Sequence, residues 1–93
     1  MGFVVIVDAH HRPIGVFTDG DLRRCLHTDI DIKFTPITEV MGKHFITVRD
    51  SQLAVEAVAL MEKHKISALP VLGDAGDFVG ALNMRQLLQA GVV

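Results

Sequence analysis

Short apolar stretches separated by polar turns recur along the chain and predict pairs of strands. The runs 3–7 and 68–72 are rich in Val, Ile and Leu, and second apolar stretches follow at 14–17 and 78–82. Runs of this length between turn residues are typical of buried strands. Because each turn is short, each pair of strands is expected to form an antiparallel hairpin.

Helices are predicted after the two hairpins, over 21–26 and 84–90, and Gly91 is placed to end the second one. The chain between them contains a predicted short helix over 36–40, with Pro36 at its first position, and a predicted short strand over 44–48.

A longer helix is expected to run to about Lys65, with Asp50 or Ser51 as its N-cap. Positions three and four apart on this helix predict a stripe facing the core. The expected stripe contains Leu53, Ala57, Leu60 and His64, with Ala54, Val58 and Met61 beside it.

An internal repeat relates the two hairpin-and-helix segments. A shift of 65 positions aligns their apolar positions without a gap and places Gly15 on Gly80 and Thr18 on Asn83. The second copy is predicted to contain a short helix, β, α, β, β and α, whereas the first contains only β, β and α. Met1 is therefore expected to begin inside a repeat.

The predicted fold class is α+β, with two β-β-α cores related by a pseudo-twofold axis. Residues 1–34 form a partial first repeat, truncated at its N-terminus, and residues 35–93 form the second. Packing the cores through their sheets would bury apolar strand faces that neither copy covers alone, so the repeats are expected to form one module.

Composition and charge exclude several classes of function. The 93 residues are 49% hydrophobic, which is too apolar for a disordered tail, and the net charge of −2 provides no basic field for nucleic acid or a membrane surface. No apolar run approaches the ~20 residues of a membrane span. Cys25 has no internal disulfide partner, so we expect a cytoplasmic protein and a small core residue at this position. The histidines show no paired metal spacing, so no metal is expected.

Two stretches resemble a known family. Ile66–Val71 followed by Val79–Leu82 resembles the core signature of a CBS domain, and Gly15–Leu22 is similar to the matching end of another copy. Two tandem copies form a CBS pair, the regulatory module also called a Bateman module.

A more particular resemblance lies in residues 17–24, Phe-Thr-Asp-Gly-Asp-Leu-Arg-Arg. With Val40-Met41 and the ending 86–93, they resemble the C-terminal part of D-arabinose 5-phosphate isomerases. This resemblance implies a parent enzyme that interconverts ribulose 5-phosphate and arabinose 5-phosphate for synthesis of the lipopolysaccharide sugar Kdo. Its sugar-isomerase domain would lie upstream, so the chain by itself is not expected to be an enzyme.

The resemblance also implies partners and an effector. CBS pairs generally associate further, so a homodimer is expected. The module would require no cofactor and would bind an effector in the cleft between its repeats, either an adenine nucleotide or the nucleotide sugar CMP-Kdo.

The candidate site lies where each hairpin meets its helix. Thr18 and Asp21 have the spacing of a capping box, in which each side chain binds an amide of the other residue, so helix initiation alone could explain both. The resemblance implies instead that Thr18 contacts phosphate and Asp21 accepts both ribose hydroxyls, which suits a carboxylate. Gly20 would let a ligand approach the backbone, and Asp19 would oppose phosphate unless it points away.

The second copy has the same spacing at Asn83 and Gln86, where an amide replaces the carboxylate, so we expect a better site in the first copy and a degraded one in the second. The remaining ligand-binding candidates are Ser67, Ala68, Met84 and the basic residues Arg23, Arg24, Arg85 and Lys43. The basic residues could equally form a solvated face. The alternatives for the whole chain are a ligand-free structural dimerisation module, a CBS pair of another host protein, or a catalytic fragment.

Overall fold

Two β-hairpins, each followed directly by a helix, form the framework of the chain. The computed structural model describes residues 2–91, and its contacts divide it into a first unit that ends at Phe45 and a second that begins at Ile46. The first unit contains β1 (Phe3–Val7), β2 (Pro13–Thr18), α1 (Asp19–Leu26) and α2 (Ile37–Val40). The second unit contains β3 (Val48–Arg49), α3 (Ala54–His64), β4 (Ala68–Leu72), β5 (Phe78–Asn83) and α4 (Met84–Gln89).

The two hairpins have the same register 65 positions apart. In β1 and β2 the antiparallel ladder opens at Phe3 and Thr18, and in β4 and β5 it opens at Ala68 and Asn83. Both ladders contain an irregularity at the equivalent point near the turn. The ungapped repeat predicted from the sequence is therefore confirmed pair by pair.

The hairpin turns also repeat, over residues 8–12 and 73–77. In each turn the N–H of the first residue donates to the carbonyl of the last at 2.9 Å. The fourth residue has a positive φ in both copies, 62° at His11 and 79° at Gly76. This left-handed backbone favours glycine, so the second copy has the residue that the turn prefers.

The second unit contains a buried core between α3, α4 and its three-stranded sheet. The sheet has the order β3-β4-β5, with β3 parallel to β4 and β5 antiparallel to it. The core cluster consists of Val48, Ala57, Val58, Met61, Leu69 and Leu87. Leu69 in the central strand is completely buried.

The elements before the second hairpin differ from the sequence prediction. The strand predicted over 44–48 is only the two-residue β3, and neither Asp50 nor Ser51 caps α3. Residues 49–52 instead close a turn, in which Gln52 donates its N–H to the Arg49 carbonyl at 3.0 Å. The helix starts after this turn, with Leu53 at the N-cap and its N–H donating to the Glu56 carboxylate at 3.0 Å.

The predicted stripe on α3 was wrong at both ends. Leu53 precedes the helix and its side chain is 67% exposed, and His64 lies exposed in the last turn. The fully buried face of the helix is formed by Ala57, Val58 and Met61.

Helix α2 packs against the first hairpin, although the repeat assigns it to the second copy. Val16 and Gly42 exchange backbone hydrogen bonds of 3.0 and 2.7 Å, and Met41 lies against the buried Gly15. Pro36 occupies the N-cap position and not the first helical position, because its ψ of 147° is extended.

Cys25 lies in α1 and is buried, which confirms its prediction as a core residue. Among residues 2–91 no helix has the length and apolar character needed to cross a membrane. Met1 and Val92–Val93, which belong to the predicted repeat boundary and chain ending, lie outside the described residues.

The equivalent glycines Gly15 and Gly80 provide a matched test of this packing. A Cβ at Gly15 would collide with the Met41 side chain, whereas one at Gly80 would meet no atom of the described part of its own unit within 4 Å. We expect Gly15→Ala to lower the free energy of unfolding by about 1–3 kcal/mol, and Gly80→Ala to leave it unchanged or to raise it by less than ~1 kcal/mol. Urea denaturation measures both. Met41→Ala should remove most of the Gly15→Ala cost, and equal effects of the two glycine substitutions would contradict the packing.

The carboxylate of Glu56 provides a pH-dependent test of the start of α3. Hydrogen bonds from the Leu53 N–H and then the Gln52 side chain lower the pKa of Glu56 below its usual value of 4.5. A lowered folded-state pKa stabilises the fold above pH 4.5, and this contribution is lost as the pH falls through the folded pKa. We therefore expect the unfolding free energy of the wild type, relative to that of Glu56→Gln, to decrease as the pH falls from 6 to 3 in urea melts. A constant difference would contradict this role.

Candidate functional site

The junction of β2 and α1 is built by a reciprocal pair of side chains. Thr18 is the N-cap of α1 and has an extended backbone. Its hydroxyl accepts the Asp21 N–H at 3.4 Å, while Asp21 Oδ2 accepts the Thr18 N–H at 2.8 Å and the Thr18 hydroxyl at 3.0 Å. The predicted capping box is therefore confirmed, and it contains Asp21, a buried acidic residue.

The second oxygen of Asp21 is held by Arg24. The Arg24 guanidinium donates to Asp21 Oδ1 in an ion pair across one helical turn. The Arg24 side chain is 72% exposed and the Asp21 side chain 10%, so the pair is anchored on one side and open to solvent on the other. Sequence reasoning named both residues but missed the pairing, although their i, i+3 spacing could have indicated it.

Asp19 points away from this carboxylate, toward the start of β1. Its Oδ2 accepts the backbone N–H of Gly2 at 2.8 Å, which engages the charge that would otherwise oppose a phosphate. The role of Gly2 was not predicted, because Gly2 and Asp19 are 17 residues apart in the sequence and only the hairpin brings them together. Gly20 is half-buried, and a Cβ there would make only ordinary contacts, the nearest at 3.6 Å to the Thr18 hydroxyl. The protein's own packing therefore does not require glycine at this position.

The second unit has an equivalent junction between β5 and α4. Asn83 Oδ1 accepts the Gln86 N–H at 2.8 Å, and Gln86 Oε1 accepts the Asn83 N–H at 3.4 Å. Met84 donates its N–H to the Ser67 carbonyl at 2.8 Å, and Ala68 pairs with Asn83. Gln86 and Gln89 stand where the first copy has Asp21 and Arg24, so this junction lacks the charged pair.

The predicted ligand-binding residues thus form one group in each unit. The first group contains Thr18, Asp19, Gly20, Asp21, Arg23 and Arg24, and the second contains Ser67, Ala68, Asn83, Met84 and Arg85. Arg23 and Arg85 are exposed on α1 and α4, and Lys43 is exposed outside both groups. Over residues 2–91, no three His, Cys, Asp or Glu side chains are placed to hold a metal ion.

Comparison with known proteins matches the CBS-domain family model to residues 37–92 of the chain. Along its whole length, the chain is similar to the arabinose 5-phosphate isomerase KdsD of Pseudomonas aeruginosa, with 51% identity over 94 residues. The chain spans only 28% of that relative's length. The matching part is therefore a CBS-domain region of a much longer isomerase.

Solved structures of CBS domains have the same fold. The CBS domain pair of protein MJ0100, in complex with 5′-methylthioadenosine and S-adenosyl-L-methionine, matches with a TM-score of 0.81 and 25% identity over 96% of this chain and 71% of that one. The cytosolic domain of the Mg²⁺ channel MgtE, in complex with ATP, matches with a TM-score of 0.77 and 26% identity over 95% of this chain and 33% of that one. The family model, the isomerase relative and these folds agree, and the chain belongs to the CBS-domain family as an α+β CBS pair.

Proposed function

We propose that the chain is the effector-binding regulatory part of an arabinose 5-phosphate isomerase. Its whole length is 51% identical to part of one such enzyme, of which it spans 28%. The isomerase reaction, which interconverts ribulose 5-phosphate and arabinose 5-phosphate in the Kdo pathway, belongs in this proposal to a domain upstream. The chain itself supplies a binding site and, as a CBS pair, a surface for forming a homodimer.

The observation that carries the binding proposal is the buried carboxylate of Asp21 at the start of α1. A vicinal ribose diol donates two hydrogen bonds, and a carboxylate is the side chain that accepts both. The first turn of α1 lies next to it, and the backbone amides of a helix start favour a phosphate. The Asp19 carboxylate accepts the Gly2 N–H, which partly offsets the negative charge that it places near this turn.

The effector class follows from these two features together. A nucleotide has both a ribose diol and a phosphate, and the CBS pair of MJ0100 and the MgtE domain were solved with adenosyl ligands or ATP. CMP-Kdo has the same two features and adds the carboxylate of the sugar acid, for which Arg23 and Arg24 are the nearest cations in the sequence. We propose an adenine nucleotide or CMP-Kdo as the effector.

In this proposal the second junction binds more weakly. Asn83 and Gln86 are neutral, so a ribose there would meet an amide oxygen instead of a carboxylate. Ser67, Ala68 and Met84 would line this weaker site, and Arg85 would provide its cation. An effector regulates the enzyme only if it binds one conformational state more tightly than another.

A second candidate function is a dimerisation module that binds no ligand. Leu22 and Leu26, four residues apart on α1, are 41% and 63% exposed, and apolar side chains at this spacing form one helix face. The capping boxes also account for Thr18 and Asp21 without any ligand. This candidate differs from the first in predicting no nucleotide binding.

Calorimetric titration separates the two candidates. We expect the 93-residue chain to release or absorb heat on addition of at least one of AMP, ADP, ATP and CMP-Kdo, because each carries a diol and an anion. The 2′,3′-dideoxy form of the ligand that binds is the control and should bind more weakly. No heat with any of the four ligands would contradict effector binding and favour the dimerisation module.

Replacement of Asp21 tests its two roles separately. Asp21→Ala removes the proposed diol acceptor and should weaken nucleotide binding by about 1–3 kcal/mol in titrations. It also removes half of a capping box and should lower the unfolding free energy by about 1 kcal/mol. Gln86→Ala removes the equivalent box in the second unit, so it should destabilise similarly and leave the stronger binding event intact. If Asp21→Ala lowers stability with no change in affinity, Asp21 serves only to cap the helix.

A further inference from the structure

We propose that Arg24 competes with the effector for Asp21, so that the site in the first unit selects anionic nucleotides over neutral nucleosides. This inference rests on the proposed function, because it concerns the same carboxylate. It assigns Arg24 two alternative partners, Asp21 in the free protein and the anion of the ligand in the complex.

While Arg24 is bound, the Asp21 carboxylate has too few unused acceptor positions for a vicinal diol. A carboxylate offers about four acceptor positions, two on each oxygen. Thr18 uses Oδ2 twice, through its backbone N–H and its hydroxyl. Arg24 uses Oδ1, so one position remains where a vicinal diol requires two. A ribose can therefore form both hydrogen bonds with Asp21 only if Arg24 moves.

Arg24 is the partner that can leave. The Thr18 bonds are part of the cap that starts α1, and breaking them would disturb the helix. The Arg24 side chain is 72% exposed, so solvent screens its side of the ion pair and solvates the guanidinium when it moves away. Displacement of Arg24 by a ligand therefore costs less than displacement of Thr18.

The released guanidinium stays near the place where a phosphate is expected. Arg24 Nη1 lies 3.8 Å from where a Cβ on Gly20 would be, so Arg24 reaches back over the first turn of α1. A phosphate or carboxylate there would gain a charge-assisted hydrogen bond from it. A neutral nucleoside displaces Arg24 and provides no new partner, whereas a nucleotide replaces the ion pair that it breaks.

The second junction lacks this competition. Gln86 and Gln89 occupy the equivalent positions, and neither carries a charge. Preference for an anion through this exchange is therefore a property of the first unit, which makes Arg24 its specificity-determining residue.

The experiment compares AMP with adenosine on the wild type and on Arg24→Gln. Titrations of the ¹⁵N-labelled 93-residue chain, followed at the Thr18 and Asp21 amides, report weak binding and its location together. Arg24→Gln should strengthen adenosine binding up to about fivefold, because the competitor is gone. It should weaken AMP binding about tenfold, because the charge-assisted bond is lost.

Lys33→Gln is the matched control, since it removes one positive charge from an exposed position of the same unit, outside the site. It should not strengthen adenosine binding. Thermal melts of each variant establish that it is folded before it is titrated. Arg24→Lys keeps the charge without the planar fork and should bind AMP more tightly than Arg24→Gln.

Three outcomes would overturn the inference. If Arg24→Gln weakens AMP and adenosine equally, Arg24 is an ordinary contact; if it changes neither, Arg24 lies outside the site. In both cases the proposed function stands, because the wild type still binds. If the wild type binds neither ligand and also gives no heat with ATP or CMP-Kdo, the effector proposal fails and the inference fails with it.

Discussion

The reciprocal cap between the end of a strand and the first turn of a helix is the interaction on which the rest of this structure depends. At Thr18 and Asp21 it determines where β2 ends and α1 begins, and at Asn83 and Gln86 it does the same for β5 and α4. A helix start leaves backbone amides without partners, and each cap satisfies one of them while its partner side chain binds the amide of the N-cap residue. Because both caps sit at the open end of a hairpin, they link strand pairing to helix initiation.

In the proposed function, the same cap would combine stability and binding in one side chain of the first unit, Asp21. A buried carboxylate must be hydrogen-bonded to be tolerated, and Asp21 meets this requirement with Thr18 and Arg24. Two of the hydrogen bonds to its carboxylate come from Thr18 in the helix cap, and the third comes from the solvent-exposed Arg24. This difference between its partners is what the proposed role of Asp21 as a ligand acceptor depends on, because only Arg24 would have to move.

The two copies show how one backbone arrangement can support different chemistry. Their hairpins agree in register, in turn hydrogen bonding and in the sign of φ at His11 and Gly76. They differ at the position of Arg24, where the second copy has Gln89. The repeated backbone therefore persists with different side chains, and the charged pair makes the first junction distinct.

Much of the architecture was determined by the sequence itself, because it depends on neighbours along the chain. The hairpins follow from apolar runs and short turns, and the caps at Thr18 and Asn83 follow from three-residue spacings. The 65-residue repeat also made the equivalent positions predictable, since apolar and helix-capping residues recur at the same offsets. These features use contacts within a few residues or between two adjacent strands.

Only the tertiary structure decided which hydrogen bonds form where the partners are distant in the sequence or where the sequence left several partners possible. The sequence offered Asp50 and Ser51 as caps for α3, but a turn at 49–52 delays the helix to Ala54. It likewise did not indicate that Asp19 would bind Gly2, because those residues meet only once β1 has folded back on β2. The start of α3 and the Asp19 carboxylate each had several possible hydrogen-bond partners. The folded backbone decides which of those partners comes within hydrogen-bonding distance.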